Sequence, residues 1–170
     1  MPRNIEIKAR IDSVDALLPH ARAVAHAEPV LIAQDDTFFR VPHGRLKLRR
    51  FADGSAELIH YHRSDRAEAK ASDYVRVPVA DPQALREALA RGCGVLGRVH
   101  KQRWLWVVGA TRIHLDRVEG LGDFMELEVV LRDGQSDAEG VALAEQLMRQ
   151  LGLADAPRIA GAYLDLIATP

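Results

Sequence analysis

Apolar and polar residues alternate with a period of two along much of the chain, which is typical of β-strands that bury one face. Near the N-terminus, Ile5, Ile7, Ala9 and Ile11 share one face, and polar residues occupy the other. The alternation predicts about eight strands, at residues 4–11, 35–41, 45–51, 57–63, 73–79, 95–108, 111–118 and 122–131.

Helical patterns with recognisable start signals lie between or after these strands. Asp12 or Ser13 is placed to cap the first helix, Pro82 suits the first turn of the second, and Ser136 with Glu139 forms a capping box for the third. The fourth helix is expected to carry Pro157 in its first turn. The predicted helices span residues 13–25, 82–91, from 136 to near 152, and 156–167. The expected fold class is therefore α+β.

Several predicted strands concentrate charge on one face. Arg45, Lys47 and Arg49 are all positive, Glu126 and Glu128 are both negative, and the first strand carries both signs. One architecture that fits is an open antiparallel sheet with helices on one face and water on the other. The other is a closed barrel with its apolar surface under helices and its charges inside, which would require a highly charged ligand. The residue pattern leaves both open.

Composition narrows the class of protein. The 170 residues suit one domain over 1–170, and 48% hydrophobic with 28% charged residues excludes a disordered chain. A net charge of -1 disfavours a generic nucleic-acid binder, and the single Cys93 excludes an internal disulfide or a multi-cysteine metal site. No apolar run approaches the roughly 20 residues needed to span a bilayer, and no apolar signal region follows Met1. We therefore expect a cytoplasmic protein that binds neither nucleic acid nor membrane.

Two sets of side chains carry candidate chemistry. Glu6, Glu126 and Glu128, with Asp116 as a further candidate, offer hard oxygen ligands that suit Mg²⁺ or Mn²⁺. The alternative for these carboxylates is an ordinary solvated strand face. The second set consists of basic side chains that could bind phosphate oxygens or simply form a soluble surface. It comprises Arg45, Lys47, Arg49, Arg63, Lys101, Arg103 and Arg112.

Several of these segments together resemble one family. Asn4-Ile5-Glu6-Ile7-Lys8 resembles the E-x-E-x-K opening of the CYTH superfamily, also called triphosphate tunnel metalloenzymes, which includes class IV (CyaB-type) adenylate cyclases and thiamine triphosphatase. The most specific match is the run T-R-I-H-L-D at 111–116 followed by G-L-G-D-F-M-E-L-E at 120–128. Further similar stretches are 44–49, 61–65, 70–74, 101–103 and 161–166.

The resemblance implies an eight-stranded antiparallel closed tunnel that takes up a triphosphate with Mg²⁺ or Mn²⁺. It implies metal ligation by Glu6, Glu126 and Glu128, and catalytic roles for Lys8, Arg63 and Asp116, of which Lys8 and Arg63 would steady the transition state. The residues implied in substrate binding are Arg10, Arg45, Lys47, Arg49, Lys101, Arg103 and Arg112. The first Glu of the opening motif is Asn4 here, which removes one charge from the metal site.

The expected activity is hydrolysis of an organic or inorganic triphosphate, such as ATP, thiamine triphosphate or tripolyphosphate. Two alternatives stay open: conversion of ATP to cyclic AMP and pyrophosphate, and non-catalytic binding of a nucleotide or polyphosphate, which Asn4 motivates. A structural domain built on an open sheet is a third. We allow for a homodimer, and the polar segment Ser64 to Ser72 is a candidate lid that carries Arg66 and Lys70.

Overall fold

The computed structural model describes residues 3–63 and 69–167, with the side chains of Arg63 and Lys70 left undescribed. Its strands are Arg3–Arg10 (β1), Val30–Phe39 (β2), Arg45–Phe51 (β3), Ala56–Arg63 (β4), Lys70–Pro78 (β5), Val95–Val108 (β6), Thr111–Val118 (β7) and Gly122–Val130 (β8). Its helices are Val14–Ala25 (α1), Pro82–Cys93 (α2), Asp137–Gln150 (α3) and Tyr163–Ile167 (α4).

The eight strands form one closed antiparallel barrel in the order β1-β5-β4-β3-β2-β6-β7-β8. The closed architecture predicted through the family resemblance is therefore confirmed, and the open sheet is excluded. In this ring β1 and β2 lie four places apart in either direction, so they form opposite walls.

The alternation of residue types decides which side chains face the interior. Along β1, Ile5, Ile7 and Ala9 are buried on the outside of the barrel, whereas the polar residues between them face a central cavity. The outward face packs under α1 and α3, where it joins a core that includes Trp106 and Met148. The apolar core of this protein therefore lies largely between the barrel and its helices, which leaves the barrel interior for ionic groups.

The predicted starts of the first three helices are confirmed. The Ser13 side chain accepts a hydrogen bond from the Ala16 amide, and Asp81 caps α2, which begins at Pro82. Ser136 and Glu139 form the expected capping box of α3. In the described part of the chain, no helix combines the length and the apolar character that crossing a membrane requires.

Two strands begin three or more residues earlier than predicted. The strand predicted from residue 35 begins at Val30, because β2 pairs along its whole length with the long β6. The strand predicted from residue 73 begins at Lys70, and residues 64–68 of the candidate lid lie outside the described part of the chain.

The prediction of a helix over 156–167 was wrong in its first half. Only Tyr163–Ile167 is helical. The preceding segment instead pairs with the end of β1, where the Arg10 amide donates to the Pro157 carbonyl and the Ile159 amide donates to the Lys8 carbonyl, each at 2.9 Å. Proline has no amide hydrogen to donate, and in this arrangement Pro157 serves only as an acceptor.

Candidate functional site

A cavity of about 460 Å³ occupies the interior of the barrel and is lined by side chains from all eight strands. Among the described residues, seven basic side chains and four carboxylates line it. The basic residues are Lys8, Lys47, Arg49, Arg76, Lys101, Arg103 and Arg112, and the acidic ones are Glu6, Asp36, Glu126 and Glu128. The cavity therefore combines an excess of positive charge with a smaller set of hard oxygen ligands.

Three potential metal ligands converge where β7 pairs with β8. His114, Glu126 and Glu128 each offer one ligand atom, and these atoms all lie within 4.8 Å of one another. His114 Nδ1 is buried and has no hydrogen-bond partner among the described residues, since the nearest carboxylate oxygens lie 3.7 Å away on Glu126 and 3.9 Å away on Glu128. Burial and the nearby Arg103 lower the pKa of His114 to about 4, so its imidazole is neutral and has a lone pair to offer.

The two glutamates of this cluster have unlike electrostatics. Burial, together with Glu126 and Glu6, raises the pKa of Glu128 to about 7. Burial alone would also raise the pKa of Glu126. Nearby positive charges instead hold this pKa well below its usual range, and the largest effect comes from the Lys8 ammonium, 3.2 Å from the Glu126 carboxylate. Glu6 pairs directly with Glu128 across β1 and β8. An unpartnered imidazole nitrogen beside crowded carboxylates fits a divalent cation, which would relieve their repulsion.

A carboxylate of β2 compensates the basic strand β3. Asp36 accepts hydrogen bonds from Arg49 at 2.7 Å to each oxygen and from Lys47 at 3.0 Å. Burial and the adjacent Arg49 lower the pKa of Lys47 to about 8, although Asp36 opposes this shift. The like charges of β3 therefore have an internal counter-ion, Asp36, which is not among the site residues predicted from the sequence.

Asp116 lies on the inward face of β7 without lining the cavity, and it holds Arg103. The two form a bidentate pair at 2.7 and 2.6 Å, and the Tyr163 hydroxyl donates to the same carboxylate at 2.8 Å. Burial alone would raise the pKa of Asp116, but Arg103 and Lys101 hold it far below its usual range. Asp116 does not line the cavity, so its geometry favours a role in orienting Arg103.

The C-terminal segment closes one end of the barrel. The Lys8 ammonium donates to the Gly161 carbonyl at 3.4 Å and lies 4.2 Å from the centre of the Tyr163 ring, which in turn packs against Phe124. An apolar cluster fills this end, formed by Phe38, Val99, Val118, Phe124, Tyr163 and Leu164. The cavity reaches solvent at the other end, where its lining residue Val107 is 65% exposed.

Most of the predicted site residues meet in this cavity, namely Glu6, Lys8, Lys47, Arg49, Lys101, Arg103, Arg112, Glu126 and Glu128. Arg10 does not line it, since its guanidinium stacks over Phe124 and donates to the Leu121 carbonyl. Arg45 forms a bidentate pair with Asp165 and lines a separate cavity of about 250 Å³. The side chain of Arg63 lies outside the described part of the chain.

Some lining residues were missed from the sequence. On β2, Gln34 and Asp36 alternate onto the same inward face as Phe38, and on β5 Arg76 shares the inward face with Tyr74. The period of two in the sequence could therefore have identified all three as lining residues. His114 lies within the family-like run at 111–116 but is not among the predicted metal ligands. Tyr163 lay within a segment similar to the closing helix of the family, but nothing in a local pattern indicates that this segment enters the end of a barrel.

The fold and the site together define a tunnel-type barrel with an ionic interior. The sequence matches the CYTH domain over residues 2–163, and the chain belongs to the CYTH family. The expectation drawn from the family-like motifs is therefore confirmed.

Solved structures share this fold over nearly the full length. The PH1012 protein of Pyrococcus horikoshii OT3 is 25% identical with a TM-score of 0.84, covering 96% of this chain and 98% of that one. A candidate adenylate cyclase of Vibrio parahaemolyticus is 21% identical with a TM-score of 0.81, covering 98% of each. A candidate adenylyl cyclase of Hippeastrum with a dominant triphosphatase activity is 15% identical with a TM-score of 0.65, covering 90% and 89%. No curated protein matches the sequence.

Proposed function

We propose that the protein is a divalent-metal-dependent enzyme that hydrolyses a triphosphate. The observation that carries this proposal is that one cavity inside the barrel holds both a cluster of metal-type ligands and a larger set of cations. A triphosphate chain is highly anionic and binds best where both a metal ion and Arg or Lys side chains neutralise it. The family membership and the triphosphatase activity of the Hippeastrum neighbour support the same class of substrate.

The residues that would hold Mg²⁺ or Mn²⁺ are Glu126 and Glu128, with Glu6 and His114 beside them. When bound, such an ion supplies a Lewis acid to phosphate oxygens. Glu126 keeps its negative charge, and a bound cation favours the charged form of Glu128. Neutral His114 adds a nitrogen donor without repelling the cation.

The basic residues of the wall would bind the phosphate oxygens. Arg103 is fixed by Asp116, so its guanidinium is oriented before the substrate arrives. Lys101 and Arg49 face the same bore, and Lys8 stands next to Glu126, where metal and phosphate ligands meet. Lys8 is therefore our candidate for stabilising charge on the transferring phosphoryl group. Arg63 keeps the catalytic role that the family resemblance implies, as a prediction.

Product analysis tests this function. The purified protein is incubated with ATP, thiamine triphosphate or tripolyphosphate, with Mg²⁺, with Mn²⁺ or with a chelator, and the products are separated. Release of phosphate that requires the metal supports hydrolysis. Cyclic AMP and pyrophosphate from ATP would instead identify a cyclase, and tight binding of all three compounds with no product would identify a binding protein.

A further inference from the structure

We infer that the cavity contains a separate subsite for the non-phosphate part of its substrate, which is therefore an organic triphosphate with an apolar ring and a hydroxyl group near the phosphates. This inference rests on the proposed function, and it chooses between the organic and inorganic triphosphates that the proposal leaves open. It depends on two independent features of the lining, an apolar mouth and a pair of unpartnered acceptors.

The first feature is an apolar patch in the lining at the open end of the barrel. The end opposite the C-terminal segment carries apolar side chains of three adjacent strands, which we call the mouth: Ile32, Phe51, Leu105 and Val107. Ionic and polar lining residues adjoin it, since Val107 pairs with Arg112 and Leu105 pairs with His114 across β6 and β7. Arg76 stands at the same end of the barrel and is already paired with Glu57. An inorganic polyphosphate gains nothing from such a surface, whereas a ring lying against it removes apolar area from water.

The second feature is a pair of buried carbonyl oxygens. Asn4 Oδ1 and Gln34 Oε1 have no hydrogen-bond partner among the described residues, and both side chains line the cavity. They stand on β1 and β2, the opposite walls of the barrel. A carbonyl oxygen cannot bond to an ionised phosphate oxygen, because both are acceptors, so each of these oxygens needs a donor such as a hydroxyl or a cation. Asn4 lies two residues from Glu6 and the metal-type ligands, so Gln34 is the one placed for a hydroxyl.

The position of Gln34 links the two features. It pairs with Phe51 of the mouth on one side and with the cavity cation Lys101 on the other. A donor bound at Gln34 therefore lies between the phosphate-binding region and the apolar mouth. Since Tyr163 and its neighbours close the far end, the substrate enters with its phosphates first and leaves its ring at the mouth.

Calorimetric binding of three ligands tests the subsite: ATP, 2′,3′-dideoxy-ATP and tripolyphosphate. Each is titrated with Ca²⁺ as the divalent cation to limit turnover. We expect ATP to bind at least about tenfold more tightly than tripolyphosphate, and about threefold to tenfold more tightly than the dideoxy analogue. Equal or tighter binding of tripolyphosphate would overturn the inference.

Two variants assign these preferences to residues. The double substitution Ile32→Ser and Val107→Ser is expected to reduce the preference for ATP over tripolyphosphate by about tenfold. Gln34→Met is expected to abolish the preference for ATP over the dideoxy analogue. The control is Val77→Ser, which matches the valine substitution of the double variant at a position outside the cavity that is 49% exposed, and both preferences should persist in it. Preferences that survive in the mouth and Gln34 variants would overturn the assignment.

The test of the subsite and the test of the proposed function can fail independently. Binding preferences test the subsite, and metal-dependent release of products tests the reaction. Hydrolysis of tripolyphosphate without any preference for ATP would leave the function standing and remove the subsite. A clear preference for ATP without turnover of any ligand would support the subsite and contradict the proposed function.

Discussion

Asp36 accepts two hydrogen bonds from Arg49 inside the barrel, each at 2.7 Å. The same carboxylate is 3.0 Å from the Lys47 ammonium, so one buried anion neutralises part of the basic strand β3. The barrel can therefore close in the absence of a bound polyanion. A triphosphate that enters finds cations that are already oriented and only partly neutralised.

Replacing this internal anion should cost more stability than replacing its neighbour in the chain. Asp36→Asn leaves two buried cations without their carboxylate, and we expect the free energy of unfolding to fall by about 3–5 kcal/mol. Asp35→Asn is the matched control, because Asp35 faces outward and pairs with the exposed Arg98, and it should cost less than about 1 kcal/mol. Chemical denaturation measures both.

Ligand binding gives a second readout for the same pair of variants. Tripolyphosphate should raise the melting temperature of Asp36→Asn more than that of the parent protein, because the ligand supplies the missing negative charge. Equal ligand-induced shifts in all three proteins would show that Asp36 and the ligand do not share the same cations.

Turnover should depend strongly on the glutamates of the β8 cluster. Glu128→Gln keeps the size of the side chain and removes an oxygen ligand, so we expect metal-dependent turnover to fall by about two orders of magnitude or more, with weaker Mn²⁺ binding. Glu126→Gln should behave alike. Glu28→Gln, at a side chain that is 76% exposed, is the control. Wild-type kinetics in Glu128→Gln would contradict the assignment of the metal site.

The inward and outward faces of the strands could be predicted because they depend on a period of two in the sequence. Glu126 and Glu128 were found in this way, as were Lys101 and Arg103. Closure of the barrel could not be derived from that period, because an open sheet has the same alternation, and it was predicted only through the family resemblance. The Asp36–Arg49 pair depends on the register between β2 and β3, which no local pattern specifies.

Tyr163 shows the same limit over a longer distance. It lies 47 residues from Asp116, to which its hydroxyl donates. Pro157 near the start of an apolar-polar pattern favoured a long helix, but pairing of this segment with β1 replaced the first half of it. Long-range pairing of this kind is decided by tertiary packing, which a local pattern does not record.

Triphosphate binding should weaken as the pH rises through about 8. Lys47 has a pKa of about 8, since burial and Arg49 disfavour its charge more than Asp36 favours it. The positive charge of Arg103 also lowers the pKa of Lys47, and the rings of Phe38 and Tyr61 lie beside the Lys47 ammonium. A bound polyanion stabilises the charged ammonium, so Lys47 takes up a proton when the ligand binds above pH 8, and the affinity falls as the pH increases.

Lys47→Arg separates this effect from titration of the ligand itself. Arginine stays protonated at every pH of the experiment, so the ratio of the two dissociation constants for tripolyphosphate should change between pH 7 and 9.5. We expect the parent protein to lose about tenfold more affinity than Lys47→Arg over that range. A constant ratio, measured by calorimetry at fixed free metal, would exclude Lys47 as the titrating group.

The closed end of the barrel should loosen when the Tyr163 hydroxyl is removed. Tyr163→Phe deletes a hydrogen bond to a buried carboxylate that keeps its pair with Arg103, so we expect a loss of about 1–2 kcal/mol in the free energy of unfolding. Tyr163→Leu also removes the aromatic contacts with Lys8 and Phe124 and should cost more. Amide exchange of the C-terminal segment should accelerate in the same order. If both variants match the parent in exchange, this side chain does not hold the segment in place.

Metal binding should become stronger when Asn4 is replaced by the residue that the family motif has at this position. Asn4 lies two residues before Glu6 on the same inward face of β1, and its Oδ1 has no partner among the described residues. Asn4→Glu adds a carboxylate there, so we expect Mn²⁺ to bind about tenfold more tightly or at one additional site. The metal-free protein should be less stable, because the new charge repels Glu6 and Glu128. Asn4→Gln is the control for side-chain length, and calorimetric titration of Mn²⁺ compares the three proteins. Identical Mn²⁺ affinity and stoichiometry in Asn4→Glu would mean that position 4 does not reach the ion.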